Sequence, residues 1–377
     1  MTDIILEVKD LTVGYKKPVL SNLSFKVIKG MFVSLLGPNG GGKTTLLRTI
    51  SRHIEPISGK IFLKGQPISS FKPLDFARVV SVVLTDRAIP PLLSVLEFTA
   101  LGRYPHLSLM GRMTDQDYRA VEAALAAVKA VHLADCFIDQ LSDGELQKAI
   151  LARALAQEPE LMILDEPTSH LDLKHRVEVM GILRSLCSAK GLTVIAALHD
   201  VDVAAKISDQ VLTVRAGQMT ASGRPEEILS SQAVKDLYDF DQAGFSRLLG
   251  GVEVRGDGLS GRAFVVSGRD RTAMALRLLS KRGYALAAAV PDDSDLDAHV
   301  AKALGGLVFS PTSENKEKYV DSAKEALGDC SLLVDGLGEE GPLAGRELVA
   351  EAKRRGLPVL SLDNGNLNSL IAFLDNL

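Results

Sequence analysis

Apolar residues along the first two thirds of the chain come in two patterns. Short apolar runs bounded by glycine, proline or charged residues recur at "IILEVKDL", "LSFKVIKG", "MFVSLL", "ELMILDEP" and "LTVIAALHD", with a hairpin-like pair in "SGKIFLKGQPI". Runs this short read as strands, and the wholly apolar ones as strands covered on both faces. Helical spacing fills the intervals. A mostly helical stretch runs from about Leu92 to Leu155, including "DQDYRAVEAALAAVKAV", and a further helix covers roughly Lys174 to Ser188. Alternating strand and helix predicts a parallel sheet flanked by helices, here interrupted by a helical insertion. A "GRPEEIL" turn and an "AVKDLYDF" helix close this part.

Glycine becomes dense around "LLGGVEVRGDGLSG", which places a boundary there and predicts domains over 1–250 and 251–377. A second alternation follows: "AFVVSG", "YALAAAV", "LVFS", "CSLLVDG" and "PVLSL" as strands, each followed by a helical segment. Five such units predict a smaller Rossmann-like or flavodoxin-like α/β layer. Its "VVSGRDRTA" has a glycine at the strand-to-helix turn but lacks G-x-G-x-x-G, a weak basis for dinucleotide binding. The acidic turns "DDSDLD" and "SLDNGN" read more readily as solvated than as metal sites. A sensor of ligand that tunes the first domain and a purely structural dimerisation module are both compatible with this pattern.

At 377 residues the chain is long enough for two cores. Residues 251–377 hold 15 Lys and Arg against 19 Asp and Glu, leaving 28 against 28 in residues 1–250. Neither part is basic, so nucleic acid is not an expected partner. No apolar run approaches the ~18 residues of a membrane span, and "MTDIILEVKD" does not look like an export signal. A cytoplasmic protein is expected. Three scattered cysteines, Cys136, Cys187 and Cys330, have no metal-ligand spacing and read as buried thiols.

The candidate chemistry begins at "SLLGPNGGGKTTLLRTI". A strand followed by G-x-x-x-x-G-K-T is a P-loop. Gly37, Gly40, Gly41 and Gly42, with Asn39 between them, are expected to turn backbone N–H groups inward through positive φ values. The following helix adds its positive dipole end. Lys43 would reach the β/γ-phosphates and the Thr44 hydroxyl Mg²⁺, with Thr45 beside it. A nucleoside triphosphate with Mg²⁺ is therefore the expected ligand. "LMILDEP" ends an apolar strand with Asp165 and Glu166, at the carboxyl edge where open α/β sheets hold ligands. Asp165 would serve Mg²⁺ and Glu166 would polarise the attacking water.

"QLSDGELQKAILARAL" resembles the signature of the ATP-binding-cassette (ABC) ATPases, usually written LSGGQ. Leu141, Ser142 and Gly144 match, while Asp143 and Glu145 depart from it. The resemblance covers residues 1 to roughly 245 and implies a P-loop ABC ATPase domain with a helical subdomain. It implies that two copies sandwich two ATP molecules, Ser142 and the Gly144 N–H sealing the γ-phosphate bound by the partner. Asp143 is then expected to point away from ATP, since a carboxylate beside phosphate is repelled. Tyr15 resembles the aromatic that stacks on adenine, and also fits an ordinary surface tyrosine in a turn. His199 in "ALHD" resembles the switch histidine that contacts the γ-phosphate. "SHLD", Ser169 to Asp172, resembles the loop by which the two subunits touch. The glutamine normal after the fourth sheet strand is absent from "VVSVVLTDRAIPP"; Asp86 stands there as a candidate Mg²⁺ ligand or an exposed loop aspartate.

"LSVLEFTALGRYPH" is similar to the importer ATPases for iron-siderophores, haem and cobalamin, which carry a "GR-x-P" element. Arg103 and His106 read equally as a helix cap and a solvated side chain. This subfamily resemblance implies transport-coupled ATP hydrolysis, integral membrane permease subunits, and a periplasmic or extracellular substrate-binding protein acting indirectly. It implies a peripheral position on the inner face of the membrane. The alternative is a soluble cassette ATPase of translation or DNA repair. Those usually carry two cassettes or a long coiled-coil insertion, and neither is present.

Overall fold

β1 (Ile4–Gly14) and β2 (Pro18–Ile28) open the chain as an antiparallel pair. In β2 the buried Leu23, Phe25 and Val27 alternate with exposed Ser24 and Lys26, the period-two pattern of a sheet with one wet face. β3 (Phe32–Leu36) is buried throughout and leads through the glycine loop into α1 (Lys43–Ile50). β4 (Ser58–Leu63), the two-residue β5 (Gln66–Pro67), α2 (Pro73–Val79) and β6 (Val80–Val83) follow. The helical insertion holds α3 (Val95–Ala100), a 3₁₀ segment over Leu101–His106, α4 (Asp115–Ala127) and α5 (Asp143–Ala156). The chain then returns through β7 (Leu161–Asp165), α6 (Leu173–Lys190), β8 (Thr193–Ala197) and α7 (Val201–Ile207). β9 (Gln210–Arg215), β10 (Gln218–Gly223) and α8 (Pro225–Ile228) complete it. "GRPEEIL" thus forms one helical turn where a plain turn was expected.

This computed structural model describes residues 3–84, 92–108, 111–239, 243–246, 248–268, 272–311, 318–337, 342–362 and 367–376. Two sheets build the first unit. One is antiparallel, in the order β2-β1-β4-β5; the other runs β10-β9-β3-β8-β7-β6, parallel except for β10. The strands β3, β7 and β8, buried at every residue, lie side by side at its centre, as strands covered on both faces should. Their carboxyl ends carry the glycine loop, Asp165 and Glu166, and His199 respectively.

The compact units divide between Ile228 and Leu229, before the glycine-dense stretch. The second begins with α9 (Ser231–Tyr238), β11 (Ala243–Ser246) and β12 (Gly251–Val254). β11 and β12 pair antiparallel, Ala243 opposite Val254, so "LLGG" is the turn of a hairpin and not a linker. That hairpin packs on α11 of the second unit. Beyond it come β13 (Arg262–Val266), α10 (Ala273–Lys281), β14 (Ala285–Ala289), α11 (Leu296–Ala303) and β15 (Leu307–Phe309). α12 (Tyr319–Leu327), β16 (Leu332–Asp335), α13 (Leu343–Arg354), β17 (Val359–Ser361) and α14 (Asn368–Asp375) end the chain. All four pairings are parallel and the order is β15-β14-β13-β16-β17. Counted from the first strand of this sheet, that is the 3-2-1-4-5 order of Rossmann layers, not the 2-1-3-4-5 of flavodoxin. α10, α11 and α14 cover one face, α12 and α13 the other.

Candidate active site

The glycine loop is shaped by close approaches. Gly42, the N-cap of α1, has φ 92°, and a methyl group on it would come within 2.8 Å of Val19 and Leu20 side-chain carbons. Gly41 does not have the positive φ expected of it; a methyl there would instead meet the Pro38 carbonyl oxygen at 2.9 Å. The loop is thus a cradle of bare backbone at a helix N-terminus, the arrangement that binds phosphate. Asn39 and Gly40 are exposed at its rim, and Thr45 is buried on α1. The Lys43 ammonium is buried and donates to the Gly37 carbonyl at 2.7 Å and the Pro38 carbonyl at 3.0 Å. Burial holds its pKa below the usual lysine range, with Glu166 and Asp165 pulling the other way.

β7 delivers the acids. The Thr44 hydroxyl donates to Asp165 Oδ1 at 3.1 Å, so the two residues expected to serve one cation already meet. Their donor atoms are hydroxyl and carboxylate oxygens, the hard donors that Mg²⁺ takes. Among the described residues no group of three or more His, Cys, Asp and Glu is clustered for metal.

Glu166 follows the last strand residue with φ 51°, so the chain turns left-handed at once and both neighbouring carboxylates stay at the strand end. Its amide donates to the Ala197 carbonyl at 3.2 Å, anchoring the turn to β8. Its Oε1 lies 2.5 Å from His199 Nε2, and Ser169 Oγ donates to Oε2 at 2.8 Å. Burial works to raise the Glu166 pKa, but the hydrogen bonds of His199 and Ser169, aided by the charges of His199 and Lys43, bring it below the ordinary carboxyl value. Glu166 is therefore a base held ionised between two hydrogen-bonding neighbours. Ser169, three residues along the same turn, is expected from the sequence only as the start of the loop by which the subunits touch; its bond to Glu166 is a role the sequence did not suggest.

Three other expected residues lie elsewhere. Tyr15 is exposed between β1 and β2, and Arg48 of α1 donates to its hydroxyl at 3.4 Å; its ring face is free of intramolecular stacking among the described residues. Ser142 is the N-cap of α5, its hydroxyl donating to Glu145 Oε2 at 2.7 Å and its amide to the same oxygen at 3.0 Å. This is a capping box, S-x-x-E, and it gives Glu145 a local role that the comparison with LSGGQ did not suggest. Gly144 lies beneath the His175 ring. Asp86 falls outside the described residues.

The "GR-x-P" element is internal. Arg103 is 2% exposed and donates to Asp117 Oδ1 at 3.0 Å, to the Ala156 carbonyl at 2.7 Å and to Glu158 Oε2 at 2.7 Å. His106 Nε2 is 2.9 Å from the Gln157 carbonyl oxygen. Arg103 thus caps the carboxyl end of α5, as one reading of the sequence allowed, and His106, half-buried on the C-cap carbonyl of the same helix, is not the solvated side chain. Of the cysteines, Cys187 and Cys330 are buried, and burial pushes their thiols up to about 12 and about 11. Cys136 is only half-buried.

A glycine cradle on a central parallel strand, a lysine inside it and paired acids at the end of a second strand define a P-loop nucleoside-triphosphate hydrolase. The model of the ABC transporter family matches residues 20–169. An ABC transporter ATP-binding protein of Methanocaldococcus jannaschii, itself uncharacterised, is 37% identical over 282 residues, covering 74% of this chain and 97% of its own length. The chain belongs to the ABC transporter ATP-binding proteins, and is an ATPase that uses ATP with Mg²⁺. The ferric enterobactin transport ATP-binding protein of Escherichia coli is 37% identical over 63% of this chain and 89% of its own. The iron(3+)-hydroxamate import ATP-binding protein of Bacillus subtilis is 33% identical over 63% and 88%. Among solved structures, a dimeric ATP-binding cassette in a post-hydrolysis state with ADP and phosphate is 26% identical, with TM-score 0.52, covering 59% of this chain and 99% of that one.

No helix of the described residues is long and apolar enough to cross a membrane.

Proposed function

We propose that this chain is the ATP-hydrolysing subunit of an importer for iron-siderophore complexes, working as a homodimer on the inner face of the membrane beneath separate permease subunits. Glu166, held between His199 and Ser169 beside the P-loop, carries the reading for the engine; the relatives named for enterobactin and hydroxamate import support the cargo. Lys43 exchanges its two loop carbonyls for phosphate oxygens; Thr44 and Asp165 would hold Mg²⁺, which when bound would supply positive charge against the phosphates. Tyr15 offers its exposed ring to the base. Glu166 takes a proton from water as the water oxygen bonds to the γ-phosphorus and the bond to the ADP oxygen breaks, with His199 steadying that carboxylate. Ser142 and the Gly144 amide, at the start of α5, seal the phosphate held by the other copy.

Glu166→Gln is expected to lower turnover by about 10²–10⁴ with ATP binding retained; wild-type turnover in that variant would remove Glu166 from the mechanism. For cargo, a deletion strain given the wild-type gene should regain uptake of labelled ferric siderophore. Restored uptake of haem or cobalamin instead would assign a different cargo. Residues 251–377 we propose to be regulatory: the siderophore ATPases match about two thirds of this chain, and the second unit is a separate α/β layer with its own core.

A further inference from the structure

α5 and α6 are joined at their first turns by an unusual contact. A methyl group on Gly144 would lie 2.3 Å from His175 Cδ2, 2.4 Å from Cγ and 2.7 Å from Nε2. The imidazole therefore rests directly on the backbone of the first turn of α5, and only a glycine admits it. The ring is fixed from its other side. His175 Nδ1 is 2.9 Å from Asp172 Oδ1, and the His175 amide donates to the same oxygen at 2.8 Å, with Asp172 serving as the N-cap of α6. One turn further along both helices, the nearly buried Lys148 pairs with Glu178 at 2.9 Å. At the start of the same loop Ser169 holds Glu166. A continuous line of contacts thus runs from the catalytic carboxylate through the Ser169–Asp172 turn and His175 to the tip of α5.

We propose that His175 is a positioning residue that locks the tip of α5 to the Ser169–Asp172 turn, so that the sealing surface and the turn behind Glu166 move as one piece. The inference rests on the reading above, in which that tip closes over the nucleotide of a second copy. His175 touches no nucleotide in this account. It sets where the Ser142 hydroxyl and the Gly144 amide stand when the copies meet.

The test is a mutant cycle in the full-length chain: Gly144→Ala, His175→Ala and both together, with His175→Phe and Ser142→Arg as controls, each measured for ATPase, ATP affinity and melting temperature. Gly144→Ala is expected to lower kcat at least 100-fold with ATP affinity changed less than threefold, because the new methyl displaces the ring. In the His175→Ala background the same change should cost no more than tenfold, and its effect on melting should disappear. With His175→Phe, where a ring still fills the space, the full loss should remain. An equal cost of Gly144→Ala in the wild-type and His175→Ala backgrounds, in both kcat and melting, overturns the proposal. Ser142→Arg leaves His175 untouched: wild-type ATPase in that variant would show that the tip does not seal a nucleotide. The melting arm of the cycle would still decide whether His175 fixes the tip.

Discussion

Glu166 sits at φ 51°, a left-handed backbone that costs a non-glycine residue on the order of 1–3 kcal/mol. What offsets the cost is the fixing of its carboxylate by Ser169 and His199. Its ordinary pKa of 4.5 is lowered in the folded chain, burial opposing and the two hydrogen bonds prevailing. A carboxyl depressed in this way adds stability above its unfolded value, and that stability is lost as the pH falls through the lower folded one. The same sign keeps the base ionised on the acid side. Ser169→Ala removes one donor, so the acid limb of the kcat/KM profile is expected to move to higher pH. An acid limb that stays in place would mean that Ser169 does not tune the base. The P-loop and both acids were legible in the sequence because phosphate binding fixes residue type and spacing together. The bond of Ser169 to Glu166 and the place of His175 were not, since a turn's side-chain directions depend on backbone angles that residue names do not reveal.

Within the helical insertion the buried Arg103 ties the 3₁₀ segment to α4 and to the end of α5 through Asp117, the Ala156 carbonyl and Glu158. Asp117 also closes the capping box of α4 with Thr114, so one carboxylate serves a helix start and a buried ion pair. Asp117→Ala would strand a buried guanidinium with Glu158 as its remaining acid. The expected loss is about 3 kcal/mol, a melting temperature lower by roughly 6–12 °C for a domain of this size. A change within 2 °C would show that Glu158 alone suffices. The second unit offers a parallel case. Asp297, fully buried, accepts from Ser267 Oγ, from Thr272 Oγ1 at 2.7 Å and from the Thr272 amide at 3.1 Å. In Rossmann layers the first helix after the first strand receives a phosphate. Here the internal Asp297 side chain already accepts the Thr272 amide at the N-terminus of α10, so that amide is not offered to a phosphate oxygen. Titration with a dinucleotide is accordingly expected to give no binding heat from this unit, and a micromolar site that Asp297→Ala abolishes would contradict it. The element pattern was legible almost strand by strand from the runs of apolar residues. Which arginine and which aspartate turn inward was not, because burial of a charge is settled by partners far away in sequence.

Across the whole molecule, two α/β units follow one another, and the glycine-dense stretch that marked the expected boundary proved to be a hairpin turn. Turns and linkers share glycine, so composition alone does not separate them; pairing of β11 with β12 does. The first unit supplies half of each catalytic site on this account. Its P-loop grips the triphosphate, and the first turn of α5 from a second copy completes the enclosure. Differential affinity of ATP for the closed pair is what drives closure. The most direct measurement is cysteine crosslinking between Asn39→Cys at the rim of the loop and Asp143→Cys at the tip of α5, in a Glu166→Gln chain that holds ATP without turning it over. A crosslinked dimer that forms with ATP and Mg²⁺ and disappears without them is the predicted result. ATP bound at full occupancy with no crosslink between those two positions would contradict it.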